Sequence, residues 1–214
     1  MKERETVIQE TAVVGAPFRQ LLGEPTPEEN PTEPVLLGAG VWIGHFAVIG
    51  MQSKIGNNSI VDDFCYVQTN VTIGARTLIT HRAQICSGTS IGSDCIIGGF
   101  VGDDVCIGDR VRMFGKAIHL QHDPSLPWDA SESQEESPQL DDDCFVGFDA
   151  KIIGPVRIGK GAYVTANAIV TRDVPPQHIA TRVNRIMPTN KWHGRLANRR
   201  SEYLRRLMNA FNFF

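Results

Sequence analysis

The sequence predicts an all-β chain whose short parallel strands wind into a coil. Three patterns carry that expectation. Stepping by six from Leu37 gives Leu37, Ile43, Ile49, Ile55, Val61, Val67, Ile73, Ile79, Ile85, Ile91 and Ile97, all aliphatic. Four residues after each stands a small or β-branched residue: Val41, Ala47, Ser53, Ser59, Cys65, Val71, Thr77, Ala83, Thr89 and Cys95. Eleven of the 20 glycines follow an inward aliphatic directly, among them Gly44, Gly56, Gly74, Gly92 and Gly147. A period of six fits neither a 3.6-residue helix nor simple strand alternation. It fits a short strand and a turn, three to a coil. The aliphatic points into a narrow core, the small residue fits the corner, and glycine relieves the bend. Successive coils pair as parallel strands about 4.8 Å apart. The glycines also argue against helices, where each costs about 1 kcal/mol relative to alanine.

The elements follow in order. Ile8 and Val14 are six apart, so residues 11–15 read as one isolated repeat within a lead-in, residues 1–34. Residues 23–34 carry four prolines and four glutamates and read as a solvated connector. Continuous coils are expected over 35–176. After Ile97 the register slips by two and resumes at Val101, Ile107 and Met113. An inserted loop, 119–143, interrupts the coils, which return at Val146, Ile152, Ile158, Val164 and Val170. Residues 117–143 hold eight acids, with no Lys or Arg between Lys116 and Lys151. A loop this long inside a compact repeat is usually functional or disordered. The run Val170-Thr171-Arg172-Asp173-Val174-Pro175-Pro176 is expected to end the stack, because proline cannot continue a ladder. In the extension 177–214, Leu196, Tyr203, Leu204, Leu207, Met208 and Phe211 space one face of a basic amphipathic helix that packs back on the coil or on a neighbouring subunit.

Composition narrows the function classes. A formal net charge of −3 excludes a strongly basic nucleic-acid-binding domain. No apolar run approaches the roughly 18 residues of a membrane span. The charged start Met1-Lys2-Glu3-Arg4-Glu5 lacks an apolar segment behind it, and the five cysteines include no CxxC pair. Both favour a reduced, cytoplasmic protein.

These repeats resemble the hexapeptide-repeat family, which folds as a left-handed parallel β-helix; the handedness comes from the resemblance. It covers about half of the chain, residues 35–118 and 144–175. "VTRDVPP" is similar to the last coil of the acyl-CoA-dependent branch, and the break after His119 resembles that branch's active-site loop. The resemblance implies a homotrimer with its site between subunits and acetyl-CoA as cosubstrate. The reaction would be acyl transfer to a hydroxyl or amine of a sugar, nucleotide-linked sugar or small metabolite. By the motif His122-Asp123-Pro124, His122 is the candidate general base, and His119 competes for the role. Histidine has a reference pKa near 6.5 and can accept a proton at neutral pH. Phe145, Gly147, Ala166, Thr171 and Arg172 match positions that line or contact CoA, and Lys160 and Arg182 are within reach of a phosphate. Gly147 also suggests a backbone oxyanion donor, since glycine admits close approach. His81, Asp123 and Trp128 are candidate acceptor-binding residues, and an acidic loop suits an amino-bearing acceptor. His45 and His81, two coils apart, should project from the same side of the prism. No metal is expected in this reading. A competing resemblance is to the γ-class carbonic anhydrases, in which His81, His119 and His122 would hold zinc. A non-catalytic β-helix scaffold is a third class.

Overall fold

The computed structural model describes residues 5–16, 34–119, 136–183 and 185–191. They form a triangular prism of three parallel sheets with 10, 8 and 7 strands, here called A, B and C. Most strands are two residues long. Each turn of the chain visits A, then B, then C, as in Trp42–Ile43, Val48–Gly50 and Lys54–Ile55. The rungs are in register from coil to coil: Ile43 pairs with Val61, Val61 with Ile79, and Ile79 with Ile97. In most pairs the first residue faces out and the second faces in; Ile96–Ile97 and Arg112–Met113 are buried at both positions.

The inward column is the core. Ile43, Ile49, Val61, Ile79, Ile85, Ile97, Met113, Val146, Ile152, Val164 and Val170 are all fully buried. Burying one such side chain is worth about 1.5–3 kcal/mol, so each coil contributes through three inward residues.

The small residues at the corners bond as well as fit. Ser53 Oγ donates to the Gln68 carbonyl at 3.0 Å and accepts the Val71 N–H at 3.2 Å. Ser59 does the same with Gly74 and Thr77, at 2.7 and 3.0 Å. Thr77 donates to Gly92 at 2.9 Å, and Cys144 Sγ to Gly159 at 3.2 Å. Each of these side-chain donors lies 15 residues from its carbonyl acceptor. The separation drops to 13 for Thr89 on Gly102 and Cys95 on Gly108, where the coil is shorter. These groups are buried and would otherwise lose water without replacement.

Two expectations about the bends need correcting. The glycine after the inward aliphatic is not where the chain takes its left-handed turn. A Cβ on Gly74 would lie 2.5 Å from the carbonyl carbon of Gly92 in the next coil, so the absent side chain lets coils stack. The left-handed corner residue comes two positions later and is mostly not glycine: Phe46, Asn58, Phe64, Arg76, Arg82 and Asp94 all have φ between 56 and 62°, apart from Arg76 at 54°. That conformation costs roughly 1–2 kcal/mol per non-glycine residue, which the interlocked neighbouring coils must offset.

The slip after Ile97 is a shortened A-to-B corner, Gly98–Gly99, with Gly99 at φ 82°. A second short corner follows at Phe114–Gly115, which makes Ala117 inward. Rungs in this region are 16 residues apart, as in Phe100 with Lys116. After the insertion the coil resumes at Gln139–Leu140 in sheet C, not at residue 144. The prolines do not end the stack either. Pro175 and Pro176 occupy a corner, and His178–Thr181 adds one more parallel strand to sheet A beside Tyr163–Val164. The antiparallel strand Arg185–Pro188 follows it. The isolated repeat at 11–15 belongs to two described sides of a first coil, with Val7–Ile8 on Trp42–Ile43 and Val13–Ala16 on Val48–Gly50. Residues 189–191 form a 3-10 turn; the rest of the expected helix lies outside the described residues.

Candidate functional site

The expected site residues distribute over the three edges of the prism. At the B-to-C edge, strand Lys116–Ile118 ends and His119 follows, where an ordinary two- or three-residue corner would be. The insertion leaves here and rejoins at Gln139. One coil earlier, 16 residues back, the same edge holds Asp103. Its Oδ2 lies 3.8 Å from His119 Nδ1, with the histidine side chain only 20% exposed. That separation is an electrostatic contact and too long for a hydrogen bond. Asp103 Oδ1 is held by the Ser87 N–H at 3.0 Å, and Ser87 Oγ donates to Gln68 Oε1 at 3.1 Å. The Asp103 carbonyl accepts Ser137 Oγ at 2.5 Å, tying the far end of the insertion to the same corner. A side chain at Gly102 would meet His119 Nδ1 at 3.3 Å, so glycine leaves room for the imidazole against the coil.

Thr171 and Arg172 lie on this edge too, both exposed, two coils beyond His119. The rungs Ala117–Ile152 and Ile152–Val170 carry that offset, which is about 10 Å along the axis. His122, Asp123 and Trp128 lie outside the described residues.

The other candidates sit elsewhere. Phe145 faces out from sheet A and packs edge-on against Tyr163, ring centroids 5.0 Å apart, and near Phe114 at 6.1 Å. Gly147 and Ala166 occupy the A-to-B edge. Gly147 does not fit the oxyanion role: its N–H already donates to the Val164 carbonyl at 2.9 Å, and its missing Cβ points at the Ala166 backbone, not at an open groove. Arg182 is an exposed left-handed residue at that same edge, φ 54°. Lys160 is on the C-to-A edge, its ammonium 3.9 Å from both Asp142 and Asp143. It therefore already faces two carboxylates.

His45 and His81 do share the A-to-B edge, as their spacing predicts. His45 Nδ1 pairs with Thr11 Oγ1 at 3.0 Å, which docks the first coil. His81 stands edge-on to Phe64 at 5.5 Å, Phe64 stacks on Phe46 at 5.1 Å, and Arg82 lies 5.9 Å over the Phe64 ring. Within one chain His81 and His119 are thus on different edges. Among the described residues no three His, Cys, Asp or Glu side chains group as metal ligands.

Burial disfavours thiol chemistry at three of the five cysteines. Burial pushes the thiols of Cys65 and Cys86 up to about 12 and that of Cys95 to about 11, so each stays protonated at neutral pH. Asp103 is the residue that reading for motifs passed over. Its signal is the coil spacing: after the slip, the neighbour of residue 119 one coil back is residue 103.

The family pattern described as the hexapeptide repeat of succinyl-transferase matches residues 69–99 and 141–172. The bifunctional protein GlmU of Ralstonia nicotianae is 28% identical over 176 residues, covering 74% of this chain and 36% of that protein. GlmU of an Exiguobacterium is 30% identical over 179 residues, covering 73% and 37%. The chain therefore spans about a third of the length of the curated relatives it matches. Among solved structures, a protein of Desulfovibrio desulfuricans G20 provisionally named an acetyltransferase superposes with TM-score 0.50 at 15% identity, covering 82% of this chain and 38% of that one. This last likeness concerns the fold.

Proposed function

The chain is a hexapeptide-repeat protein, and from that premise we propose an acyltransferase that moves an acetyl or other short acyl group from acyl-CoA to a hydroxyl or amine of a sugar or nucleotide-linked sugar. The observation that carries the reading is His119, 3.8 Å from Asp103 at a corner of the described coils that opens into a long insertion. The match to the succinyl-transferase repeat supports the reaction class, and the "VTRDVPP" coil supports a CoA thioester as donor.

An acceptor hydroxyl or ammonium is a poor nucleophile at pH 7. A histidine at this corner, His119 or His122, takes its proton as the new bond to the thioester carbonyl forms. The tetrahedral intermediate collapses, the carbon–sulfur bond breaks, and the imidazolium returns the proton to the departing thiolate. Asp103 sets a carboxylate 3.8 Å from the His119 ring, where it would act as a positioning residue. The oxyanion donor is a group other than the Gly147 N–H, which the coil ladder uses. In this reading Thr171 and Arg172, on the same edge, line the CoA arm. The eight acids of residues 117–143 suit an acceptor bearing an amine.

Thiol release from acetyl-CoA with a panel of sugars and nucleotide-linked amino sugars tests this directly. Acceptor-dependent turnover should fall by about 10²–10⁴-fold in whichever of His119→Ala and His122→Ala removes the base. Full activity in both variants overturns the histidine mechanism. About one zinc per chain in protein purified without chelator would favour the carbonic anhydrase-like reading instead.

A further inference from the structure

The outward residues of sheet B run Val48, Tyr66, Gln84, Phe100, Lys116, Lys151 and Ile169. Lys116 and Lys151 are direct rung partners. Among the described residues no other outer rung carries two cations side by side. Both lysines are exposed, and no described carboxylate lies within ion-pair distance of either. The cations on and beside the C-to-A edge differ in this. Arg76 is paired with Asp94, Arg110 with Asp143, Arg157 with Asp141, and Lys160 faces Asp142 and Asp143.

Two like charges opposite each other on neighbouring strands are destabilising. Coil stacking does not require lysine here, since the same column elsewhere accepts Tyr, Gln, Phe and Ile. A dianion between the two ammonium groups turns that repulsion into two charge-assisted contacts. Lysine's flexible stem and compact charge suit a phosphate that is gripped without a fixed fork. The placement matters as well. Lys116 leads along its own strand to His119, three residues and about 10 Å further on. Lys151 is the rung partner of Ile169, whose strand leads to Thr171 and Arg172.

We propose that Lys116 and Lys151 form a diphosphate-binding rung on the outer face of sheet B, beside the candidate base, for the diphosphate ester of an acyl-transfer substrate. It rests on the transferase reading for its role, but the anion chemistry stands apart from turnover. Two sources share that chemistry: the diphosphate of CoA and that of a nucleotide-linked sugar.

Calorimetric titration of the full chain with pyrophosphate, UDP and CoA tests it. Lys116→Gln and Lys151→Gln should each weaken diphosphate binding about tenfold, and the double variant about a hundredfold. Lys54→Gln, a lone lysine on sheet C, should change nothing. The double variant should melt at or above the wild-type temperature, because it removes repulsion and no contact. Loss confined to UDP assigns the acceptor, and loss confined to CoA assigns the donor. Unchanged affinities in the double variant, or a wild-type chain that binds none of the three, overturns the proposal. Lysine-dependent binding without any acyl transfer would sink the transferase reading and leave the rung standing.

Discussion

Gly74 shows how much a single position carries. Its missing Cβ leaves the space into which the carbonyl carbon of Gly92 packs, and no side-chain rearrangement relieves a clash with backbone. Gly74→Ala is therefore expected to destabilise the chain by about 1–3 kcal/mol, the usual range for overpacking. Thermal melting followed by circular dichroism checks it. Thr77 is the complementary case. Its hydroxyl donates to Gly92 O and accepts from Cys95 N–H, both across coils. Thr77→Val keeps the shape and leaves two buried polar groups unpaired, a loss of about 1–3 kcal/mol for each group that water does not reach. The same melts read it, and a Thr77→Ser variant should retain most of the stability. At the candidate site, Asp103→Asn should lower turnover and leave the melting temperature nearly unchanged, because Asn can still accept the Ser87 N–H. A variant with equal loss of stability and activity would mark Asp103 as structural.

At the scale of the strand and corner, the sequence makes the inward column plain and the outward chemistry much less so. Eleven aliphatics in one frame can hardly be anything but a core, and Ile43 to Ile97 are all buried as that frame requires. The second short corner at Phe114–Gly115 was not legible, because it lies just before the insertion and too few repeats follow to reveal a new frame. The left-handed corner residues were also hidden. Phe, Asn, Arg, Asp and Gln all occupy them, so no residue type marks the conformation. The strand His178–Thr181 was masked by the prolines before it, which a corner tolerates because its N–H groups need not join the ladder. The C-to-A edge carries a prediction of its own. Arg76 holds the Asp94 carboxyl below the usual range, and the Asp109 backbone N–H together with Arg110 does the same for Asp142. A lowered folded-state value means stability that is present above the unfolded carboxylate value of about 3.9 and lost as pH falls through the folded values. The melting temperature should therefore drop on acidification below about pH 4. Asp142→Asn should flatten part of that drop. These side chains are partly exposed, so the effect should also shrink in high salt.

At the scale of the whole molecule, the candidate residues are split between edges in a way one chain does not resolve. His119, Thr171 and Arg172 share the B-to-C edge, while His81, Phe145, Gly147 and Ala166 lie on or beside the A-to-B edge. In the homotrimer that the family resemblance implies, the edge of one chain would lie against a different face of the next. The A-to-B edge has the character of a covered surface: Phe46 is 55% exposed, Phe148 is 68% exposed, and Trp42 and Phe64 stand beside them. Exposed aromatics in one strip mark an interaction site. Phe46→Glu combined with Phe64→Glu should convert a trimer to a monomer in light scattering and take the acyl transfer with it. A wild-type chain that is monomeric at micromolar concentration would contradict the trimer. The histidines and the VTRDVPP segment are legible in the sequence, but not the edge each occupies, because that depends on counting coils through two short corners.

The central claim is that acyl transfer takes place at the B-to-C edge where the insertion leaves the coil. A crystal structure of the full chain soaked with CoA tests it most directly. The account predicts the pantetheine arm along that edge, against Thr171 and Arg172, with its sulfur directed toward His119 or His122. A pantetheine arm bound along the C-to-A edge near Lys160, or no bound CoA at millimolar concentration, would contradict it.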